Sequence, residues 1–148
     1  MQTIIIYTSI AHGNTEKVAK AIAEVLKADI RKTEEITPDT LLKYDLVGFG
    51  SGIYKGKHHQ NIFDLLNKMP VSQGKKVFIF STSGYGTTNF NDKLKKELIG
   101  KGFNVIGDFA CKGLDTYGIN KLYGGAAKGR PNQEDLQAAA SFAKNLVL

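Results

Sequence analysis

The sequence predicts a three-layer α/β sandwich, in which one five-stranded parallel sheet has helices on both faces. Short apolar runs rich in β-branched and aromatic residues, typical of buried strands, alternate along the chain with segments whose apolar residues recur at helical spacing. Such alternation produces parallel strands joined by crossover helices, and five strands favour the order 2-1-3-4-5. Because the chain shows no internal repeat and no linker, we expect a single domain over residues 1–148.

The first strand, loop and helix form the most informative stretch. Residues 3–8 are a β-branched and aromatic run, and Val18 and Ile22 begin a helical repeat after a small polar loop. The loop therefore precedes a helix N-terminus, where unpaired backbone N–H groups and the helix dipole attract anions. It contains hydroxyl and amide donors but no Lys or Arg, which suits a phosphate held by neutral donors. The candidate ligands are Thr8, Ser9, His12, Gly13, Asn14 and Thr15.

The remaining elements follow in order. A short polar strand at 28–31 suits a sheet edge, and Thr37 and Pro38 mark the start of a brief helix. Three more buried strands are predicted at 44–50, 76–80 and 103–111. The helices after these strands have the apolar anchors Ile62, Leu65, Leu66 and Met69, then Phe90, Leu94 and Leu98, and finally Leu136, Ala139, Ala143 and Leu146. A long loop at 112–132 precedes the last helix.

Two further loops rich in Gly, Ser and Thr follow the third and fourth strands, at 50–57 and 81–89. In an open parallel sheet, ligands bind beyond the carboxyl ends of the strands, where the strand order reverses. Strands one and three flank that point, so the three polar loops are expected to converge on one site. This convergence favours a binding site over the alternative that Asn14 or Thr15 merely caps the first helix.

Composition and charge limit the classes of function. The net charge is +6, but the 20 Lys and Arg are scattered, which argues against a nucleic-acid-binding module. The sequence has neither an apolar run of the ~18 residues that span a bilayer nor a signal peptide, so we expect a cytoplasmic protein without an integral membrane segment. The single cysteine, Cys111, is expected to be buried. His58 and His59 lack a third ligand, so no metal site is predicted.

The first loop differs from several known phosphate loops and matches one. It lacks the Gly-Lys-Ser/Thr of a Walker loop, the three glycines of a dinucleotide fingerprint and the paired acids of a phospho-receiver domain. With Ser9, Gly13, Asn14 and Thr15 it resembles the Thr/Ser-x-Thr-Gly-Asn-Thr loop of the flavodoxin family, although His12 stands where Thr is usual. The resemblance extends over nearly the whole chain and implies a flavodoxin-like fold with FMN as cofactor.

The resemblance also implies that the second and third polar loops contact the flavin ring. Tyr54 falls where the family places an aromatic against the ring face, and Lys55 and Gly56 follow near a ring nitrogen that is protonated on reduction. The third loop would pair with the pyrimidine edge, and it has Gly84 where typical members have an acid. The implied ring contacts are Gly52, Ile53, Tyr54, Lys55, Gly56, Thr82, Ser83, Gly84, Tyr85 and Gly86.

As a function, the resemblance implies an electron carrier between redox partner proteins, with no catalytic residue of its own because the flavin carries the electrons. Typical flavodoxins are acidic, whereas the basic surface here favours acidic partners. An FMN-dependent oxidoreductase acting on a quinone or porphyrin is the alternative, since the end of the chain resembles a branch related to a flavodoxin-like protoporphyrinogen oxidase. Lys55 and Lys57 beside the ring predict a flavin potential less negative than that of acidic flavodoxins.

Overall fold

The computed structural model describes residues 1–9, 13–114 and 127–147, and within them strands and helices alternate as predicted. The strands are β1 (Thr3–Thr8), β2 (Asp29–Lys32), β3 (Leu46–Tyr54), β4 (Lys57–His58), β5 (Lys76–Ser83) and β6 (Asn104–Lys112). The helices are α1 (Asn14–Leu26), α2 (Pro38–Leu41), α3 (Gln60–Lys68), α4 (Asp92–Gly100) and α5 (Gln133–Leu146), with 3₁₀ helices at Thr33–Glu35 and Thr88–Asn91. The candidate ligand His12 and most of the predicted long loop lie outside the described residues.

The sheet confirms the predicted topology. Its strands lie in the order β2-β1-β3-β5-β6, and all of these neighbours pair in parallel. Without β4, which pairs with β3 and lies off this path, this is the order 2-1-3-4-5. Thr8 lies opposite Ser51, and Ser51 lies opposite Ser81, so β1, β3 and β5 reach the same edge of the sheet together.

Alternating strand residues divide the core into two layers. Ile4 and Ile6 of β1 face one layer, in which α3 and α4 contribute side chains such as Leu66 and Leu94. The opposite layer contains residues from β1, β3, β5, β6, α1 and α5, among them Ile5, Tyr7, Phe78, Phe80, Val18, Ile22 and Ala139. Because both faces of the central strands are buried, the strand sequences are apolar throughout rather than alternating.

The prediction of a loop at 50–57 was wrong. β3 continues through this segment to Tyr54 and forms a hairpin with β4. Ile53 pairs with His58, and the connecting residues Lys55 and Gly56 have φ values of 53° and 79°. Positive φ at both central residues is the geometry of a two-residue type I′ turn, whose twist matches that of the flanking strands. The loop expected to contact the ring is therefore a short antiparallel hairpin at the carboxyl edge of the sheet.

Smaller features of the prediction also have clear outcomes. Phe90 lies in the 3₁₀ helix that precedes α4, rather than in α4 itself. Thr37 is the N-cap of α2 and Pro38 its first residue, as predicted.

Cys111 is buried, and this burial raises the pKa of its thiol to about 12, so the group stays neutral. Among the described helices, none combines the length and apolarity needed to cross a membrane.

Candidate functional site

The carboxyl ends of β1, β3 and β5 place the three polar loops side by side. β1 and β5 flank β3 in the sheet, and each of these strands ends in hydroxyl-rich or glycine-rich sequence. A hydrogen bond of 3.1 Å joins the Oγ1 atoms of Thr15, which follows β1, and Thr82, at the end of β5, and both residues are buried. The structure thus brings the first and third predicted loops into direct contact.

The first loop enters α1 through a glycine in the left-handed region. Gly13 has φ 69° and ψ 20°, it occupies the N-cap position, and no side chain among residues 1–9, 13–114 and 127–147 caps the helix. The alternative in which Asn14 or Thr15 caps α1 is therefore wrong, since the helix begins at Asn14. A Cβ built on Gly13 meets no atom of the described residues within 4 Å. The uncapped N–H groups of the first turn suit an anion bound there.

The hydroxyl groups of this loop differ in whether they already have partners. Thr8 Oγ1 lies 2.6 Å from Thr33 Oγ1, and Thr15 Oγ1 pairs with Thr82 as described above. Ser9 Oγ is buried, yet it has no hydrogen-bond partner among the residues that the structure describes. A buried hydroxyl without a partner costs free energy unless a bound group or water satisfies it. Ser9 therefore fits a ligand that offers hydrogen-bond acceptors, as a phosphate does.

An acid also lies in the first turn of α1. Glu16 accepts a hydrogen bond of 2.9 Å from the Tyr7 hydroxyl. Burial, followed by this bond, raises the pKa of Tyr7 to about 12, so the phenol keeps its proton. The Tyr7 contact directs the Glu16 carboxylate toward β1, and Lys20 lies 3.9 Å from it on the next turn.

A fourth segment, the end of β6, contributes to the site and was not predicted. Asn14 Nδ2 donates to the carbonyl of Leu114 at 2.9 Å, and the N–H of Gly113 donates to the carbonyl of Ser83 at 2.9 Å. A Cβ on Gly113 would lie 2.8 Å from Asn14 Nδ2, so only glycine allows this approach without a shift. A glycine directly after the last strand of a parallel sheet was the signal available in the sequence.

The β3–β4 hairpin presents the side chains that the sequence assigned to the ring. Tyr54 is half-buried, and its ring packs edge-on against His59 with a centroid distance of 5.1 Å. His59 is the N-cap of α3, and its Nδ1 accepts from the N–H of Asn61 at 3.0 Å. The hairpin is therefore attached to the start of α3, which fixes the position of the aromatic side chain.

The third loop is shaped by a turn at Gly86. The Ser83 Oγ atom accepts a 2.8 Å hydrogen bond from the N–H of Gly86, whose φ is 67°. A Cβ on Gly86 would lie 2.9 Å from the backbone nitrogen of Lys112, so the loop packs against the end of β6. Tyr85 is 82% exposed, with its ring 6.4 Å from that of Phe90. Gly84 and Tyr85 thus form the outer part of the site.

A buried histidine lies beneath the hairpin. His58 is 1% exposed, and its Nε2 donates to the carbonyl of Phe80 at 2.9 Å. Its Nδ1 has no partner among the described residues, nor does the Oγ atom of Ser81. Burial lowers the pKa of His58 to about 4, so the imidazole is neutral and supports the hairpin through one hydrogen bond.

Comparisons with known proteins agree on the family. The family model described as a flavodoxin domain matches residues 4–115. An uncharacterised protein of Methanocaldococcus jannaschii is 49% identical over 149 residues, with 99% of each chain covered. The flavodoxin-like domain-containing protein BilS of Clostridioides difficile is 24% identical, with 100% of this chain and 97% of BilS covered.

A solved structure shows the same fold. The oxidised form of flavodoxin 2 from Bacillus cereus superimposes with a TM-score of 0.71, at 21% identity and with 99% of this chain and 98% of that chain covered. At this identity the likeness establishes the fold alone. Together with the domain match over residues 4–115, it leads to one conclusion: the chain belongs to the flavodoxin family.

Proposed function

We propose that this chain binds FMN at the carboxyl edge of its sheet and carries electrons between redox partner proteins. The observation behind the proposal is the convergence of four segments, which follow β1, β3, β5 and β6, on that edge. The Thr15–Thr82 hydrogen bond and the Asn14–Leu114 hydrogen bond join three of these segments directly. Family membership supports a flavin as the ligand, and FMN is the flavin of typical flavodoxins.

Each part of the site has a role in this proposal. Ser9, Asn14 and Thr15, with the first N–H groups of α1, bind the phosphate through neutral donors. The hairpin around Tyr54 and the loop at 82–86 orient the ring and exclude water from it. FMN, when bound, supplies the one- and two-electron chemistry, and the protein contributes position and electrostatics. No side chain is assigned as a general acid or base.

FMN titration tests the cofactor assignment. We expect FMN fluorescence to be quenched on mixing, and thermal stability to rise by about 2.7 kcal/mol at a hundredfold excess over Kd. Asn14→Asp should weaken FMN binding at least about tenfold, because it places a carboxylate beside the phosphate and the Leu114 carbonyl. An aspartate at the start of α1 interacts favourably with the helix dipole and stabilises the helix. Lost FMN binding would therefore not simply reflect unfolding.

The matched control is Asn67→Asp, which makes the same change on the exposed side of α3. This variant should bind FMN as the natural sequence does. If FMN in excess neither loses fluorescence nor stabilises the unaltered protein, the cofactor assignment is wrong. If both aspartate variants bind equally well, the phosphate does not lie at α1.

The flavin potential provides a separate prediction. Lys55 in the hairpin turn is exposed, and Gly84 replaces the acid of typical flavodoxins, so the site favours the anionic reduced flavin. Lys55→Glu should lower the midpoint potential of the bound flavin by several tens of millivolts. A shift of ~60 mV per electron corresponds to about 1.4 kcal/mol. The control is Lys43→Glu, which makes the same change near the amino end of β3, at the end of the sheet away from the site. Equal potentials in a titration of the two variants would contradict the electrostatic argument.

Steady-state assays test the carrier role separately from FMN binding. A carrier exchanges electrons with protein partners and shows no saturable turnover of a small substrate. Saturable oxidation or reduction of a quinone or a porphyrin would overturn the carrier role and leave the cofactor assignment intact.

A further inference from the structure

Two lysines next to the β3–β4 hairpin approach the same buried aromatic ring. Lys57 Nζ lies 5.3 Å, and Lys93 Nζ 5.9 Å, from the centroid of the Phe63 ring, which is only 4% exposed. Lys57 belongs to β4 and Lys93 to the first turn of α4, so different elements bring the two charges together. Cation–π attraction to this ring holds both ammonium groups within about 6 Å of the same side chain.

Neither Lys57 nor Lys93 forms an ion pair with a carboxylate of the described residues. The ion pairs found within residues 1–9, 13–114 and 127–147 are Lys20–Glu16, Lys95–Asp108 and Arg130–Asp135. Lys57 instead donates to the neutral Gln60 side chain at 3.3 Å, and Gln60 in turn donates to Asp64. Two ammonium groups that lack an ion-pair partner attract an anionic group on a bound molecule.

The position of this pair relates it to electron transfer. Lys57 is paired in the hairpin with Tyr54, and exposed Lys55 lies in the turn between them. Exposed Tyr85 and the nearby ring of Phe90 lie in the segment that leads from the third loop to α4. A protein bound here would contact the lysines and also an exposed tyrosine, a residue type enriched among those that contribute most to protein binding.

We propose that Lys57 and Lys93 form the docking site for an acidic electron-transfer protein, which approaches the cofactor edge over the hairpin. The inference rests on the proposed function, since it assigns the partner surface of that same site. A protein partner fits better than a membrane, because the exposed large apolar side chains of the described residues other than Tyr85, such as Leu42, Val71 and Ile99, lie at the amino ends of the strands and away from the hairpin. The charge complementarity would act mainly by accelerating and orienting the encounter.

Binding to a plant-type two-iron ferredoxin, used as an acidic probe, tests the proposal. We expect the FMN-loaded protein to bind it at low ionic strength, with backbone amide shifts centred on the hairpin and the start of α4. The double substitution Lys57→Gln and Lys93→Gln should weaken binding about tenfold. The control is Lys27→Gln with Lys43→Gln, which removes the same two charges near the amino ends of the strands. This variant should bind ferredoxin within about twofold of the natural sequence.

The controls separate this proposal from its alternatives and from the cofactor assignment. Equal weakening in both double variants, or equally tight binding of basic cytochrome c at the hairpin, would overturn the docking site. Binding of phosphatidylserine vesicles or duplex DNA through Lys57 and Lys93, without ferredoxin binding, would also overturn it. Both double variants should still bind FMN, so that each can be compared as the loaded protein. Failure of FMN to bind, with ferredoxin binding retained at the lysine pair, would overturn the proposed function and keep the docking site.

Discussion

Acidification from pH 6.5 to about 4 is expected to reduce the free energy of unfolding by about 3 kcal/mol through His58 alone. The unfolded chain takes up a proton at this residue as the pH falls below 6.5, whereas burial keeps the folded imidazole neutral until about pH 4. Between these values the unfolded state binds more protons than the folded state, so the free energy of unfolding decreases as the pH is lowered. Below about pH 4 both states are protonated, and this penalty no longer grows.

Urea denaturation at successive pH values measures this effect. His58→Gln retains an N–H donor for the Phe80 carbonyl and removes the titrating group, so its stability should change much less across the same window. His59→Gln, one residue away at the start of α3, is the matched control and should keep the steep response. Arg130 lowers the pKa of Asp135, whose stabilising effect is lost only as the pH falls below 3.8. A parallel loss of stability in His58→Gln and the natural protein would show that His58 is not responsible.

Gly50→Ala should destabilise the fold by about 3 kcal/mol or prevent folding altogether. A Cβ at this position would lie 2.1 Å from Cζ of Phe80, and the other atoms of that ring edge are almost as close. Phe80 is fully buried, and its ring stacks on Phe78 at a centroid distance of 6.3 Å, so it has no space into which to move. The added methyl group therefore strains the centre of the sheet.

A double-mutant cycle checks this cause. Phe80→Leu removes the ring edge that meets the new methyl group, so Gly50→Ala should cost clearly less in the Phe80→Leu background, with a coupling of about 1–3 kcal/mol. Gly100→Ala, where a Cβ meets nothing within 4 Å, should be neutral or slightly stabilising. If Gly50→Ala unfolds at the same urea concentration as the natural protein, the packing argument is wrong.

Gly50 also shows why the full length of β3 could not be predicted from the sequence. Gly48 and Gly50 lie in a central strand because the rings of Phe78 and Phe80, on neighbouring β5, fill the space of their missing side chains. Read along the chain alone, Gly50 resembles the start of a loop, since the ring that requires a glycine there lies about thirty positions away. The Lys55–Gly56 turn was missed for a local reason, because lysine seldom adopts the positive φ that a type I′ turn requires.

Other parts of the fold and the site could be predicted because local patterns determine them. The apolar run of β1, the helical spacing from Val18 and the glycine before α1 all act over a few residues, and they gave the strand–loop–helix unit. The strand order followed from general rules for parallel sheets. The contact between Asn14 and Leu114 and the burial of His58 depend on distant segments meeting, which no periodicity in the sequence reveals.

The contact between Asn14 and Leu114 also affects when the site can form during synthesis. The two residues are 100 positions apart, so the loop before α1 lacks this partner until more than three quarters of the polypeptide has left the ribosome. Capture of a small molecule by the nascent chain would therefore come late, after the central strands have been made. A chain that stalls on the ribosome before β6 would lack this contact, because Asn14 would have been made without its partner from the segment after β6.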